Sequence, residues 1–361
     1  MQVIQAAAVG ILIALIFAVL ILAKNLIIPM VLAVFIWYLI NILRDGIGKI
    51  RFGNLRIPQP LAFTLALVTT LGVGVILINL IALSVNEVVR AAPSYQRNID
   101  NLLFDIGEWL RLETAPQLSQ LWGDFQLTRI VQTLAGTAAS FLGSTGLILI
   151  YILFLFLEQK FFRPKMERLF ESPKQQKAVR TILNQIYADT RTYLGIKTLT
   201  SISTGVISYI IMRSIGLDFA LFWGLLIFLL NYIPTVGSIV ATVFPSMLAL
   251  VQFPTLGPFF GVLFGVGAVQ VMVGNIIEPR LMGNTLNLSP LVILLSLGLW
   301  GSIWGIPGAI LCVPFTVLLT IIFSRFPSTR FVAVLLSREG TVKTQPEEEE
   351  LREAQEKLEQ T

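Results

Sequence analysis

Apolar residues along this chain come in long unbroken blocks rather than in alternation. The runs Val3–Ala23, Asn25–Leu43, Leu61–Leu83 and Ser140–Leu157 each match the roughly 20 residues that a helix needs to cross a hydrocarbon core, and predict four membrane helices. Thr198–Ile215 and Thr255–Ile277 predict two more crossings. Phe219–Val251 and Leu288–Phe323 are apolar for about 33 to 36 residues each, too long for one helix in a core of about 30 Å at about 1.5 Å per residue. Each is interrupted, the first at NYIPTVG (Asn231–Gly237) and the second at WGSIWGIPG (Trp300–Gly308). Proline there withholds a backbone donor and glycine frees the backbone, so each block is expected to break near its middle.

The pattern predicts an all-α polytopic membrane protein of about eight membrane segments, two of them broken or re-entrant hairpins. Residues 1–83 hold the first three helices, 84–139 an extracytoplasmic segment, 140–157 the next span, 158–197 a cytoplasmic basic segment, 198–324 a transport core and 325–361 a cytoplasmic acidic tail. Within 84–139, Tyr95, Ile99, Leu102, Leu103, Ile106, Trp109 and Leu110 recur at helical spacing, as in amphipathic helices. The first run is too long for the apolar part of a signal peptide and lacks a basic lead, so it reads as a retained helix.

Charge sets the expected orientation. The loop 44–60 carries four basic residues against one acidic, and 158–197 carries nine against four, whereas 84–135 has six acidic against four basic. By the positive-inside rule the first two lie in the cytoplasm and the third outside, with both termini cytoplasmic. If each long block returns to its starting side, the two crossing-plus-hairpin units have opposite orientations, as in an inverted repeat. GSIVATVFPSMLAL and GAILCVPFTVLL share a glycine start and a central proline, the local trace of such a repeat.

Composition narrows the chemistry. Only 13% of residues are charged and 55% are hydrophobic, against roughly 25% charged in an ordinary soluble domain. Histidine is absent and Cys312 is the single cysteine. That excludes His-based triads, zinc proteases, His-ligated haem, an intrachain disulfide and cysteine-built metal sites. Neither a P-loop nor a Gly-x-Ser-x-Gly elbow occurs, so the reading is non-enzymatic, without cofactor or metal. The basic segment fits topology and anionic lipid better than nucleic acid.

NYIPTVGSIVATVFP followed by GNIIEPRLMGNTLNLSPLVILLSLGLWGSIWGIPGAILCVPF resembles the autoinducer-2 exporter (AI-2E) family of permeases, and the layout of spans agrees from end to end. The resemblance implies an inner-membrane homo-oligomer, a pentamer in the members most similar to the exporter. It implies transport of a small polar or signalling molecule such as autoinducer-2, or monovalent cation/proton antiport; a channel-like pore of the same fold stays open.

Between Thr198 and Ser324 only Arg213, Asp218, Glu278 and Arg280 are charged. An ionisable group in such a stretch is costly, so Glu278 and Arg280 are candidates for a coupling carboxylate or a structural latch, with Pro279 expected to end the helix between them. Asn231, Pro234, Thr235 and Gly237 at one break, and Gly301, Gly305 and Gly308 at the other, expose backbone that a substrate could satisfy. Gln270, Gly274 and Glu278 fall at i, i+4 and i+8, and with Asn275 make a candidate pathway. Thr200, Thr204 and Ser208 share a face in the same way, and Gly257, Gly261 and Gly265 form a small-residue ladder suited to close helix packing.

Overall fold

The architecture was taken from a computed structural model that describes residues 2–52, 55–77, 79, 80, 83, 87, 127–283, 287–324, 326 and 328–340. The amphipathic positions Tyr95–Leu110 and the acidic tail beyond Gly340 lie outside the described residues. Twelve helices are described: α1 Gln2–Leu22, α2 Lys24–Ile47, α4 Leu127–Arg168, α5 Pro173–Ile215, α6 Ala220–Leu230, α7 Val236–Gln252, α8 Leu256–Val271, α9 Glu278–Met282, α10 Pro290–Trp304, α11 Ile306–Ser324 and α12 Arg330–Leu336, with α3 spanning Gln59–Leu77. A π-helical segment, Met272–Ile277, joins α8 to α9. The only extended pairing among the described residues is a ribbon of Arg51–Phe52 with Leu55–Arg56 and a bridge from Leu288 to Ser337.

This is an all-α polytopic membrane protein. Lys24–Ile47, Gln59–Leu77, Gly143–Arg168, Pro173–Ile215, Leu256–Met282 and Ile306–Ser324 are each long and apolar enough to cross a bilayer. The run Ser140–Leu157 is the apolar middle of the 42-residue α4, and Thr198–Ile215 is the apolar end of the 43-residue α5. Helix α4 runs on past its apolar stretch, through Pro164, into charged sequence, and α5 begins in charged sequence before its apolar end, because both flanks are rich in good helix formers.

The chain forms two compact units, Met1–Glu158 with Leu194–Leu281, and Gln159–Tyr193 with Met282–Thr361. In the first, Ala33 and Ile40 of α2, Ala66 of α3, and Ile148 and Ile152 of α4 share one buried cluster. A second cluster joins α5 through α8, with Met212, Phe222, Ile227, Ala241, Ala249, Val262 and Val266 at its centre. Helix α5 ends in a glycine-capped turn: Gly216 adopts φ +83°, and the Leu217 N–H reaches back to the Met212 carbonyl at 2.9 Å.

Helices α6 and α7 form a re-entrant hairpin. Its two ends are tied together by Gln252 of α7, whose amide accepts the Asp218 N–H at 2.8 Å and donates to the Gly216 carbonyl at 2.9 Å. Helix α6 descends along α5 so closely that a Cβ at Gly205 would lie 2.8 Å from the Gly224 carbonyl oxygen.

In the second unit, α10 and α11 form the other hairpin, turning at Gly305 with φ +64°. Ser296 bonds the Thr316 hydroxyl and the Cys312 carbonyl across the pair. Trp300, Trp304 and Phe315 pack in tilted and edge-on contacts beside the turn. Helix α10 starts with Pro290 in its first turn behind an extended Ser289, the position where a missing N–H costs nothing.

Candidate functional site

Three elements of the first unit meet at residues 197–201 of α5. From the hairpin tip, Asn231 donates its side-chain amide to the Ser201 hydroxyl at 3.0 Å, and the Tyr232 hydroxyl donates to Thr198 at 2.8 Å. From the end of the π segment, Glu278 receives the Lys197 ammonium on both carboxylate oxygens, at 2.7 and 2.9 Å, and the Thr200 hydroxyl reaches one of them at 3.4 Å. Both charged side chains are largely buried, Lys197 at 8% and Glu278 at 14% exposure.

The partner of Glu278 is therefore Lys197, and Arg280 is exposed. Sequence reasoning looked only within 198–324 and stopped one residue short of the lysine. A signal was available: Lys197 heads the stripe Thr200, Thr204, Ser208, which is buried throughout. Opposed charges this close, sharing hydrogen bonds, satisfy one another where neither could be left unpaired.

Pro279 does not end the helix. Glu278 keeps helical dihedrals, φ −58° and ψ −50°, and α9 continues to Met282. The preceding π turn explains both facts. A proline in a regular α-helix clashes with the carbonyl four residues earlier, and the wider π turn gives that carbonyl room. It also alters which residues share a face. The inward positions run Val262, Val266, Gln270, Val273, then Glu278 and Met282. The five-residue step from Val273 to Glu278 replaces the three- or four-residue step of an α-helix, which would have presented Ile276 or Ile277 to α5; both are exposed instead. The regular i, i+4, i+8 stripe through Gly274 is corrected accordingly: Gly274 is only half-buried with open space where a Cβ would be, and Asn275 is exposed.

The first hairpin breaks at Asn231–Thr235, within the segment that the sequence marks. Helix α6 has 11 residues and α7 has 17, and the tip lies beside Thr198 and Ser201, roughly 20–25 Å along α5 from Ile215. The hairpin thus runs beside most of the apolar end of α5, and the ion pair lies next to its tip. At the tip, Thr235 has φ +57° and ψ −60°, a γ-turn in which the Val236 N–H returns to the Pro234 carbonyl. A threonine there is strained by about 1–3 kcal/mol, and such strain persists only where surrounding contacts enforce it.

Two glycines predicted from sequence share one role. A Cβ on Gly237 would collide with the Leu230 carbonyl, and one on Gly308 with the Trp300 carbonyl. In each hairpin the first turn of the returning helix passes against the last carbonyls of the descending one, which only glycine permits. Gly301 is half-buried in α10, and Gly305 supplies the left-handed turn. Of the glycine ladder in α8, Gly261 and Gly265 face Ile215 and Ile211 of α5 at 3.2 and 2.9 Å from an ideal Cβ, while Gly257 faces open space.

With this geometry in place, the comparisons with known proteins give it a setting. The family profile described as AI-2E family transporter matches residues 10–328. The chain belongs to the AI-2E transporter family. It is 30% identical to the AI-2 transport protein TqsA of Escherichia coli, over 87% of this chain and 90% of that protein. A relative from Haemophilus influenzae that bears only a general transport designation is 31% identical, over 87% and 91%. The role of this AI-2E family member is therefore transport across a membrane. Its polar cluster, hairpin tip and π turn all fall within the matched region.

Proposed function

We propose that this AI-2E family member is a secondary transporter that exports a small polar metabolite or signalling molecule across the cytoplasmic membrane by alternating access. The observation that carries the reading is the Lys197–Glu278 pair joined, through α5, to the strained tip of a re-entrant hairpin. A hairpin running beside most of the apolar end of α5 and held by a handful of polar contacts is an element that can exist in two arrangements, as alternating access requires. Neutral export leaves Glu278 as a latch; its alternative use, as the exchanging carboxylate of a monovalent cation/proton antiporter, is favoured by its burial beside a competing ammonium. The excess of basic residues in 44–60 and 158–197 supports cytoplasmic termini. Residues 198–324 are the proposed transport core, in a protein that works as a homo-oligomer among membrane lipids.

The test is flux through purified protein in proteoliposomes, using autoinducer-2 and a panel of small polar solutes with and without imposed proton and sodium gradients. Saturable autoinducer-2 flux is expected. Flux rising linearly with concentration at pore-like rates supports a channel, and sodium or proton exchange in the absence of solute flux supports the antiporter.

A further inference from the structure

Between the ion pair and the outer end of the α5–α8 seam, two buried polar groups point at nothing. The Ser208 hydroxyl, on a residue with 0% exposure, and the side-chain N–H₂ of Gln270, on a residue with 7%, have no hydrogen-bond partner among the described residues. Buried polar atoms are nearly always paired, by protein, water or ligand. The seam is tightly closed on either side of them, by Gly261 and Gly265 against Ile215 and Ile211 above and by Lys197–Glu278 below. Carrying the Gly265–Ile211 register along the antiparallel helices puts Gln270 and Ser208 within roughly 3 Å of one axial level.

Ser208 also had an easy alternative. Its neighbours on α5 return their hydroxyls to their own backbone: Thr204 to the Thr200 carbonyl at 2.8 Å, Ser203 to Leu199 at 2.9 Å and Ser214 to Ile211 at 2.8 Å. Such back-bonding is the default for a helical hydroxyl with no other partner. Ser208 makes no such bond, and Gln270, in line with Val262 and Val266, brings an amide donor into the same core.

We propose that Ser208 and Gln270 form a binding site for an uncharged, oxygen-bearing molecule inside the α5–α8 seam, which the Lys197–Glu278 pair closes at its far end. The amide donates to a carbonyl or hydroxyl oxygen, and the serine hydroxyl donates or accepts. A charged ligand is disfavoured: Lys197 and Glu278 answer one another, and Arg213, about 7.5 Å from Ser208 along α5, is exposed rather than turned into the core. This rests on the transport reading and adds to it a place and a class of cargo. A water molecule and a hydroxylated solute offer the same chemistry, and protection by solute separates them.

The experiment is thiol accessibility in membrane vesicles, with Cys312→Ala as background and Ser208→Cys as reporter. The neutral reagent hydroxyethyl methanethiosulfonate should modify Ser208→Cys at least tenfold faster than the core control Val266→Cys, and faster than its sulfonate and trimethylammonium analogues. Autoinducer-2 should slow that modification, and Gln270→Leu should weaken the protection at least tenfold while leaving the thermal midpoint no lower. An inert Ser208→Cys means a dry seam and overturns the site. Modification that autoinducer-2 and glycerol both leave unslowed means water alone and overturns it too. Equal rates with charged reagents overturn the assignment to uncharged cargo, and undiminished protection in Gln270→Leu removes that residue's role. Labelling needs no turnover, so a labelled and protected site in protein that moves no solute sinks the transport reading while the site stands.

Discussion

Lys197 and Glu278, 81 positions apart in the chain, form a two-pronged ion pair at 2.7 and 2.9 Å that ties α5 to the start of α9. Removing one partner leaves an uncompensated buried charge, which typically costs about 3–5 kcal/mol, whereas replacing both with apolar groups is often close to neutral. Lys197→Met and Glu278→Met should each lower the thermal midpoint in detergent markedly, and the double substitution should recover most of the loss. Additive losses in the double variant would show that the two residues act separately.

Glu278→Gln separates latch from coupling. A neutral amide mimics the protonated carboxylate but cannot release a proton. If Glu278 holds the hairpin anchorage, the substitution should reduce solute flux about equally with and without a pH gradient. Normal exchange that has lost only its response to pH would overturn the latch.

The π turn decides which residue meets Lys197. Exchanging neighbours, as Ile277→Glu with Glu278→Ile, keeps composition and moves the carboxylate back by one position, about 100° around the helix. With the π turn in place the new glutamate faces outward, so the exchanged protein should be as unstable as Lys197→Met. Wild-type stability would mean that the segment relaxes to a regular α-helix.

The two hairpin glycines should be intolerant of a single methyl group. Gly237→Ala and Gly308→Ala each drive a Cβ into a backbone carbonyl, and overpacking costs about 1–3 kcal/mol, more where rigid backbone has to move. Little monodisperse protein is expected from either. Gly274→Ala and Gly298→Ala, where a Cβ would meet open space, serve as controls and should purify like the wild type.

In the charged ends of α4 and α5, outside their apolar stretches, Arg180 grips Glu167 with two hydrogen bonds at 2.8 and 2.9 Å. The hydrogen bond and charge of Arg180 hold the Glu167 carboxyl below its usual value of 4.5. A lowered folded-state pKa contributes stability that is fully present above the unfolded value and disappears as pH falls through the folded one. The difference in thermal midpoint between wild type and Arg180→Ala should therefore be constant near neutrality and shrink only below about pH 4.5. A difference that persists unchanged at the acid end would rule out the carboxylate as its source. The effect should be small, because the pair is exposed.

Much of this molecule follows from local sequence. Blocks such as Asn25–Leu43 can only be helices in lipid, because hydrocarbon offers no partner for backbone N–H and C=O groups. Asn231–Gly237 and Trp300–Gly308 announce their turns because proline and glycine act on the backbone within one or two residues. Gly237 was recognisable as special for the same reason, although the carbonyl it avoids, that of Leu230, is visible only once the hairpin is closed. Tertiary structure alone settled how deep the first hairpin reaches, because that depends on which turn of α5 Asn231 and Tyr232 bond. It also settled the partner of Glu278: an arginine two residues away in sequence was the local candidate, but a helix face has to be shared before two charges can meet. One extra residue in the turn at Met272–Ile277 rotates everything after it, so regular helical spacing placed Gly274 on the inward face. Sequence periodicity assumes one pitch throughout, and at this segment the fold departs from it so that Glu278 can reach Lys197 and Pro279 can stay helical.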